Sequence, residues 1–381
     1  MKKALIISCF DWYEKRICAV RECLMSKGYS VMVLTSDYDH INKTYRKTIN
    51  DECTYIHVPA YKKNLSVQRI ISHLSFGRGV GKALKTVKPD LIYLLFPPNN
   101  SGEYCLRYIK AHPEVKYIVD IIDMWPETMP LDRLRGLPMI KAWKNMRNRS
   151  IRRADHVFLE CSLYYRDIYR YVRDKSRVKT LYLFKKEPSN VGFQAKKKDH
   201  FEKRISIGYV GSINNIIDID KICGITRSLF DKGYAVEYDI IGDGENKDSF
   251  LERLKSVGAV VRYYGKTFDE KVKFSVLSNC DFGMNIMKDT VEVGLSIKSI
   301  DYLSYGLPII NNIKGDTSKI VEKYNIGVNV SNAENTADEI IEYYHSCTEE
   351  TAERVRKVYK AYFTESAFVK RLDVVLTSLG I

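Results

Sequence analysis

No stretch of this 381-residue chain stays apolar for the length a bilayer demands; the longest apolar runs are strand-sized, which excludes a membrane-spanning helix. Met1-Lys2-Lys3 followed by Ala4–Phe10 has the outline of a signal peptide. Asp11, Glu14, Lys15 and Arg16 cut the run short and no small-residue cleavage site follows, so the segment reads as a buried first strand. Nine cysteines, an odd number, form no C-x-x-C pair; this argues against a disulfide framework or structural zinc and fits reduced thiols in a cytosol. The seven histidines make no H-E-x-x-H, so no metal is expected. A Walker A loop and a G-x-S-x-G elbow are also missing. The first βα turn, Ser8 to Arg16, lacks G-x-G, which argues against nicotinamide chemistry there. There is no short-period repeat and no nucleic-acid module, so no nucleic-acid partner is expected despite the net charge of +14.

What is present is the composition of a globular protein, 45% hydrophobic and 28% charged, in a chain too long for one ordinary core. The charge is lopsided. Residues 1–200 carry 38 Lys and Arg against 20 Asp and Glu, and the remainder 23 against 27, which suggests different partners for the two halves or solubility alone. Short apolar runs alternate with amphipathic segments, the pattern of α/β domains with parallel sheets. Strands are expected at Ala4–Phe10, Ser30–Thr35, Tyr55–Val58, Leu91–Phe96, Tyr117–Ile122, His156–Glu160 and Val178–Leu183. Helical patterns include Lys15–Lys27, Val67–Thr86, Met139–Arg153 and Tyr164–Val172. A lysine-rich, aperiodic stretch around Lys185–Lys203 reads as a linker. The strand pattern restarts at Ile205–Val210, Val236–Ile241, Val260–Tyr264, Phe282–Ile286 and Pro308–Asn311, and the chain is helical from about Ala333. The domains expected are 1–190, a linker 191–204, 205–360, and a C-terminal helix 361–381 packing back on the first domain.

The most informative segment runs from Glu292 to Ile310. Ser296 is placed to cap a helix that ends near Gly306, before a new strand. Free N–H groups at that helix start, with Lys298 beside them, suit a diphosphate, and Asp301 one turn on suits a ribose diol. Taken alone, the segment is equally an ordinary helix–strand unit. Upstream, Gly242-Asp243-Gly244-Glu245 follows a strand and opens a helix, where glycines allow a tight turn and a close ligand approach. By itself that is more simply a turn.

The run G-L-S-x-K-x-x-D-Y-L-x-x-G-L-P-I-I, from Gly294 and Leu295 through Lys298 and Asp301 to Ile310, resembles the donor motif of GT-B glycosyltransferases, particularly the family 4 enzymes of bacterial surface-polysaccharide assembly. Ile240 to Glu245, Tyr263 to Lys266, Cys280 to Asn285, and Ile207 to Asn215 follow the same family order, so the resemblance covers roughly residues 205–315. It implies two Rossmann-like domains facing a cleft, with a nucleotide sugar as co-substrate, a UDP-sugar expected, and no further cofactor. It assigns Gly211, Ser212, Asn214, Gly242, Gly244, Glu245, Glu292, Gly294, Leu295, Ser296, Lys298 and Asp301 to the donor. Val293 stands where relatives carry a second Glu, leaving Glu292 out of register, and the usual Arg and Lys after the Gly211 turn are replaced by Ser212, Asn214 and Asn215.

In the first half, Asp123 follows an expected strand, where α/β sheets present ligands, and Trp125-Pro126 offers an apolar surface for a sugar ring. The bland reading is a polar loop with one buried Trp. Asp123-Met124-Trp125-Pro126-Glu127 resembles the D-x-W-P-E motif of the same enzymes, with Ile122 where others carry His. The resemblance implies catalytic roles for Asp123, Glu127 and Lys298, and acceptor contacts from Asp11, Tyr13, Arg16 and Trp125. The acceptor implied is a glycan, expected to be lipid-linked, with retention at the anomeric carbon and no metal. Two basic amphipathic segments, Tyr61–Arg78 and Lys141–Arg153, suit an anionic membrane surface, or simply cover the sheet with the apolar face and solvate the basic one. A cytoplasmic protein, peripheral at the inner face of the plasma membrane, is the expectation. A GT-B sugar-nucleotide epimerase is the nearest rival, and a nucleic-acid-binding protein a more distant one.

Overall fold

The computed structural model describes residues 1–10, 13–47, 51–129, 131, 136–186, 203–330 and 335–381. Two compact units result: Met1–Leu183 with Phe368–Ile381, and Phe184–Ala367. Among the described residues no helix is long and apolar enough to cross a membrane.

The first unit runs β1 (Lys3–Ile7), α1 (Glu14–Ser26), β2 (Ser30–Ser36), a small hairpin β3 (Tyr38–Asp39) and β4 (Thr44–Tyr45), β5 (Cys53–Ile56), α2 (Val67–Val87), β6 (Leu91–Phe96), α3 (Ser101–Ala111), β7 (Lys116–Ile121), α4 (Pro138–Arg153), β8 (His156–Leu159), α5 (Tyr165–Ile168) and β9 (Val178–Thr180). Seven strands form one sheet in the order β5-β2-β1-β6-β7-β8-β9, every pairing parallel. Every residue of β6, Leu-Ile-Tyr-Leu-Leu-Phe, is buried, as a strand covered on both faces requires. The core contains a fully buried ion pair. Arg16 on α1 meets Asp120 on β7 through two bonds, of 2.7 and 2.8 Å, and Tyr93 on β6 donates to the same carboxylate at 2.7 Å.

The second unit runs β10 (Arg204–Val210), α6 (Ile219–Asp231), β11 (Ala235–Ile241), α7 (Lys247–Ser256), β12 (Val260–Tyr263), α8 (Glu270–Leu277), β13 (Phe282–Asn285), α9 (Ile297–Ser304), β14 (Ile309–Asn311), α10 (Asp316–Tyr324), β15 (Gly327–Asn329), α11 (Thr336–Ser346) and α12 (Glu349–Tyr362). Its sheet is again parallel, ordered β12-β11-β10-β13-β14-β15. The strand order reverses between β10 and β13, which puts the natural ligand crevice at their C-terminal ends. A last helix, α13 (Glu365–Ser378), passes from the second unit to the first, where the Arg16 guanidinium lies 5.0 Å from the Phe368 ring and Lys27 pairs with Asp373 at 2.9 Å.

The strands expected from the apolar runs are all present, with ends that agree to within three residues. The β3–β4 hairpin was not among them, and two further features differ. The helix expected over Tyr164–Val172 is broken into 3-10 turns around the four residues of α5, where only Ile168 is buried and no apolar stripe rewards a continuous helix. β15 has no apolar run at all. It is made possible by Gly327, where a Cβ would stand 2.1 Å from the Ile309 carbonyl oxygen. Of the expected linker, residues 191–202 lie outside the described residues.

Candidate functional site

In the second unit the two glycine turns pack backbone to backbone. Gly211 follows β10 and donates to Ile241 O at 3.0 Å, and Ile213 donates to Asp243 O at 2.9 Å. A Cβ on Gly242 would stand 2.0 Å from the Gly211 carbonyl oxygen, and one on Gly244 2.4 Å from that of Ile213, so neither position admits a side chain. Around them Glu245 accepts from Asn215 N at 3.3 Å, and Asn214 closes its own turn by accepting from Ile216 N at 3.2 Å. The Ser212 carbonyl accepts from the Tyr209 hydroxyl at 2.8 Å.

α9 enters this crevice by its N-terminus. Ser296 is in extended conformation, and its hydroxyl accepts from Ser299 N at 3.2 Å and donates to Asn285, at the end of β13, at 3.1 Å. The cap satisfies one of the leading donors; the N–H groups of Ile297 and Lys298 have no carbonyl one turn back within the helix. The Lys298 side chain lies against the Gly211 turn, its Cε 3.9 Å from where a Gly211 Cβ would be. Its ammonium is 4.7 Å from the Tyr209 ring centre and 3.4 Å from the Tyr209 hydroxyl. Among the described residues no carboxylate pairs with it, and burial pushes it down to about 8. Asp301, 7% exposed and one turn further on, is paired with Lys185. Leu295 is buried, and the Gly294 carbonyl is tied to Thr317 at 2.9 and 3.0 Å. Glu292 is exposed.

In the first unit Asp123 lies just past β7. It accepts from Trp125 Nε1 at 2.6 Å and from the Thr128 hydroxyl, yet desolvation holds its carboxyl above the usual range. Trp125 is 9% exposed: the Arg69 guanidinium lies 4.4 Å from its ring and His73 stacks on it at 5.9 Å, so the ring is packed into the fold rather than laid open. Both oxygens of Glu127 are bound by Arg147, at 2.7 and 2.8 Å, with Lys144 adding a contact of 2.8 Å. Desolvation alone would raise this carboxyl; those cations keep it below the usual range. Glu127 therefore clamps the loop to α4. Tyr13 stands at the start of α1, its hydroxyl raised by burial and by Glu160 and Asp123. Arg16 is spent on Asp120 and the Leu181 carbonyl, and Asp11 lies outside the described residues.

Three polar residues that the motifs do not single out also bear on these sites. Glu160 directly follows β8, beside the end of β7, and its N–H bonds Ile121 O at 3.0 Å. Burial, with Asp123 and Asp120 near, pushes its carboxyl up to about 8 against the opposing pull of Arg16. The signal was there, a carboxylate closing an apolar run, as for Asp123. Lys185 and Glu270 carried none, because they meet Asp301 only through tertiary folding.

Of the two readings open for the basic segment around α2, the one in which the apolar face simply covers the sheet and the basic face is solvated is not what the structure shows. Arg69 and His73 face inward with Phe76 and Val80, while Val67, Ile70, Ile71 and Leu74, at helical spacing, are exposed with Leu65.

No protein-family model matches the sequence, and no curated protein is similar to it in sequence. Solved structures are similar in fold over nearly the whole chain. The lipopolysaccharide outer core galactosyltransferase WaaB, in its apo form, superposes with a TM-score of 0.68 at 15% identity, covering 99% of each chain. Sucrose-phosphate synthase from Thermosynechococcus elongatus gives 0.67 at 11% identity, covering 100% of this chain and 99% of that one. Anabaena HepE, solved in complex with UDP and glucose, gives 0.63 at 12% identity, covering 99% and 100%. At these identities the likeness shows the fold, that of the GT-B glycosyltransferases, and no more.

Proposed function

We propose that this chain is a nucleotide-sugar-dependent glycosyltransferase. The observation that carries the reading is Lys298, a partly buried, desolvated ammonium with no carboxylate partner among the described residues, set against a glycine turn at a capped helix N-terminus. Such a cation is costly unless an anion completes it, and a diphosphate fits both the charge and the N–H groups beside it. HepE, of the same fold, was solved with UDP and glucose, which supports a UDP-sugar as donor.

In this reading the second unit holds the donor. The bond from the anomeric carbon to the diphosphate oxygen breaks, negative charge collects on the leaving diphosphate, and Lys298 with the α9 N-terminus stabilises it. The first unit receives the acceptor, and a hydroxyl of a glycan forms the new bond. Asp123, with its raised carboxyl oriented by Trp125 and Thr128, takes or positions the hydroxyl proton. Glu127 and Trp125 hold that loop in place. The transfer retains anomeric configuration and requires neither metal nor cofactor. A thermal-shift screen against UDP-, GDP- and dTDP-sugars tests the donor site without an acceptor. Binding at one hundred times Kd adds about 2.7 kcal/mol of apparent stability. A shift is expected for the UDP class and is expected to shrink in Asp301→Ala. No shift with any nucleotide at millimolar concentration would sink the reading.

The acceptor proposed is lipid-linked, as in bacterial surface-polysaccharide synthesis, and the enzyme works peripherally on the cytoplasmic face of the membrane. Support comes from α2, whose exposed Val67, Ile70, Ile71 and Leu74 form an outward apolar stripe flanked by exposed Lys62, Lys63 and Arg78. Co-sedimentation with vesicles of phosphatidylglycerol and phosphatidylcholine is the check. The Ile70→Ser, Ile71→Ser double variant is expected to partition about tenfold less, given roughly 25 cal/mol for each Å² of apolar surface buried. Equal partitioning would remove the membrane from the proposal.

A further inference from the structure

Asp301 is held from behind. Its Oδ1 is in a close ion pair with the Lys185 ammonium, which also lies 2.6 Å from Glu270 Oε2 on α8 and 3.3 Å from the Tyr305 hydroxyl. Tyr305 donates to Glu270 Oε2 at 2.8 Å and Lys273 reaches Glu270 Oε1 at 3.1 Å. Together these partners overcome desolvation and hold the Glu270 carboxyl down at about 2. The Lys185 backbone is anchored on both sides: its N–H donates to Phe363 O at 2.9 Å, and its carbonyl accepts from the Tyr359 hydroxyl at 2.8 Å. From this anchor at the end of α12 the side chain, 16% exposed, reaches between α8 and α9. Asp301 Oδ2, in contrast, accepts no hydrogen bond among the described residues and is not sealed from solvent.

A carboxylate makes charge-assisted hydrogen bonds to a diol, and it does so best when it points one way. Lys185 supplies that condition. It neutralises the repulsion between Asp301 and Glu270, and by binding one oxygen it fixes the rotamer that carries the other. We propose that Lys185 is the positioning residue for the nucleotide ribose, holding Asp301 by Oδ1 and leaving Oδ2 to the diol. The proposal rests on the reading of the second unit as a nucleotide-sugar site. It assigns Lys185 to recognition of the ribose and not of the diphosphate, which belongs to Lys298.

The test is calorimetric titration of the full chain with UDP, 2′-deoxy-UDP and inorganic pyrophosphate. The wild type is expected to prefer UDP over 2′-deoxy-UDP by about tenfold, as for a hydrogen bond to a charged group. In Lys185→Met the preference is expected to collapse while pyrophosphate affinity is unchanged, and Lys185→Arg is expected to keep most of it. An unchanged preference in Lys185→Met, or tighter UDP binding, overturns the proposal; the second result would make Lys185 a competitor of the ribose. Amine-selective labelling of the wild type gives a reading that needs no variant. Lys185 is expected to stay slow to label with and without UDP, and its release on UDP addition likewise overturns the proposal. If the wild type binds none of the three ligands, the nucleotide reading itself fails and this inference with it. If the wild type discriminates and Lys185→Met does so equally, only the inference fails.

Discussion

Replacing Lys298 by methionine is expected to cut turnover by roughly 10²–10³-fold, the scale on which single donors to a developing oxyanion act, and to raise the thermal stability of the free protein. The two effects have one cause. The ammonium sits against the Gly211 turn with no carboxylate partner among the described residues, so it is costly to the empty fold and, in the proposed site, is compensated only by a diphosphate. Its pKa is pushed down to about 8 by desolvation. In the unfolded chain a lysine keeps its proton to beyond pH 10. Between about pH 8 and pH 10 the unfolded state therefore binds more protons, and wild-type stability rises with pH across that window. The stability advantage of Lys298→Met, of order 1–3 kcal/mol, should be full below pH 8 and fade towards pH 10. Nucleotide affinity should move oppositely, falling in the wild type as pH rises through 8 and staying flat in Lys298→Met. Melting curves and UDP titrations between pH 7 and pH 10 read both. A variant that turns over normally, or that melts lower than wild type at pH 7, would remove Lys298 from the leaving-group role.

The turns and the helix cap of the second unit were legible because they are written in local backbone. Ser296 caps the helix it was expected to cap, and the glycines at 211, 242 and 244 lie where turns must touch. The strands were legible because a sheet buried on both faces demands unbroken apolar runs, as in β6. Tertiary pairing was not legible. Lys185 looked like one more linker cation, yet it belongs to the second unit and grips a residue 116 positions away. Glu127 fitted a catalytic position of the motif, but the sequence gives no sign that Arg147, fully buried on α4, would engage both its oxygens. The outward apolar stripe of α2 is a similar case. Helical periodicity shows that one face is apolar and is silent on which face the sheet covers.

Arg16 shows the same limit with the larger consequence for stability. As a cation in the first βα turn it was expected to meet the acceptor, and Arg16→Met would then leave the fold intact and raise only the acceptor KM. The structure buries it, with Nε and Nη2 of its guanidinium on Asp120, Nη1 donating to the Leu181 carbonyl at 2.9 Å, and Phe368 of the C-terminal helix 5.0 Å away. Removing the cation strands the Asp120 charge between central strands, so Arg16→Met is expected to cost about 3–5 kcal/mol, the usual penalty for breaking one side of a buried pair. All three tryptophans, at 12, 125 and 143, fall within the first unit, so indole emission during urea unfolding follows that unit alone. Its midpoint should fall sharply in Arg16→Met. Adding Asp120→Asn should recover part of the loss, because the residue left behind is then neutral and only its hydrogen bonds are wasted. An unshifted midpoint with a raised acceptor KM would return Arg16 to the acceptor. A lowered midpoint that the second substitution partly restores makes it the charge around which β7, α1 and the returning helix assemble.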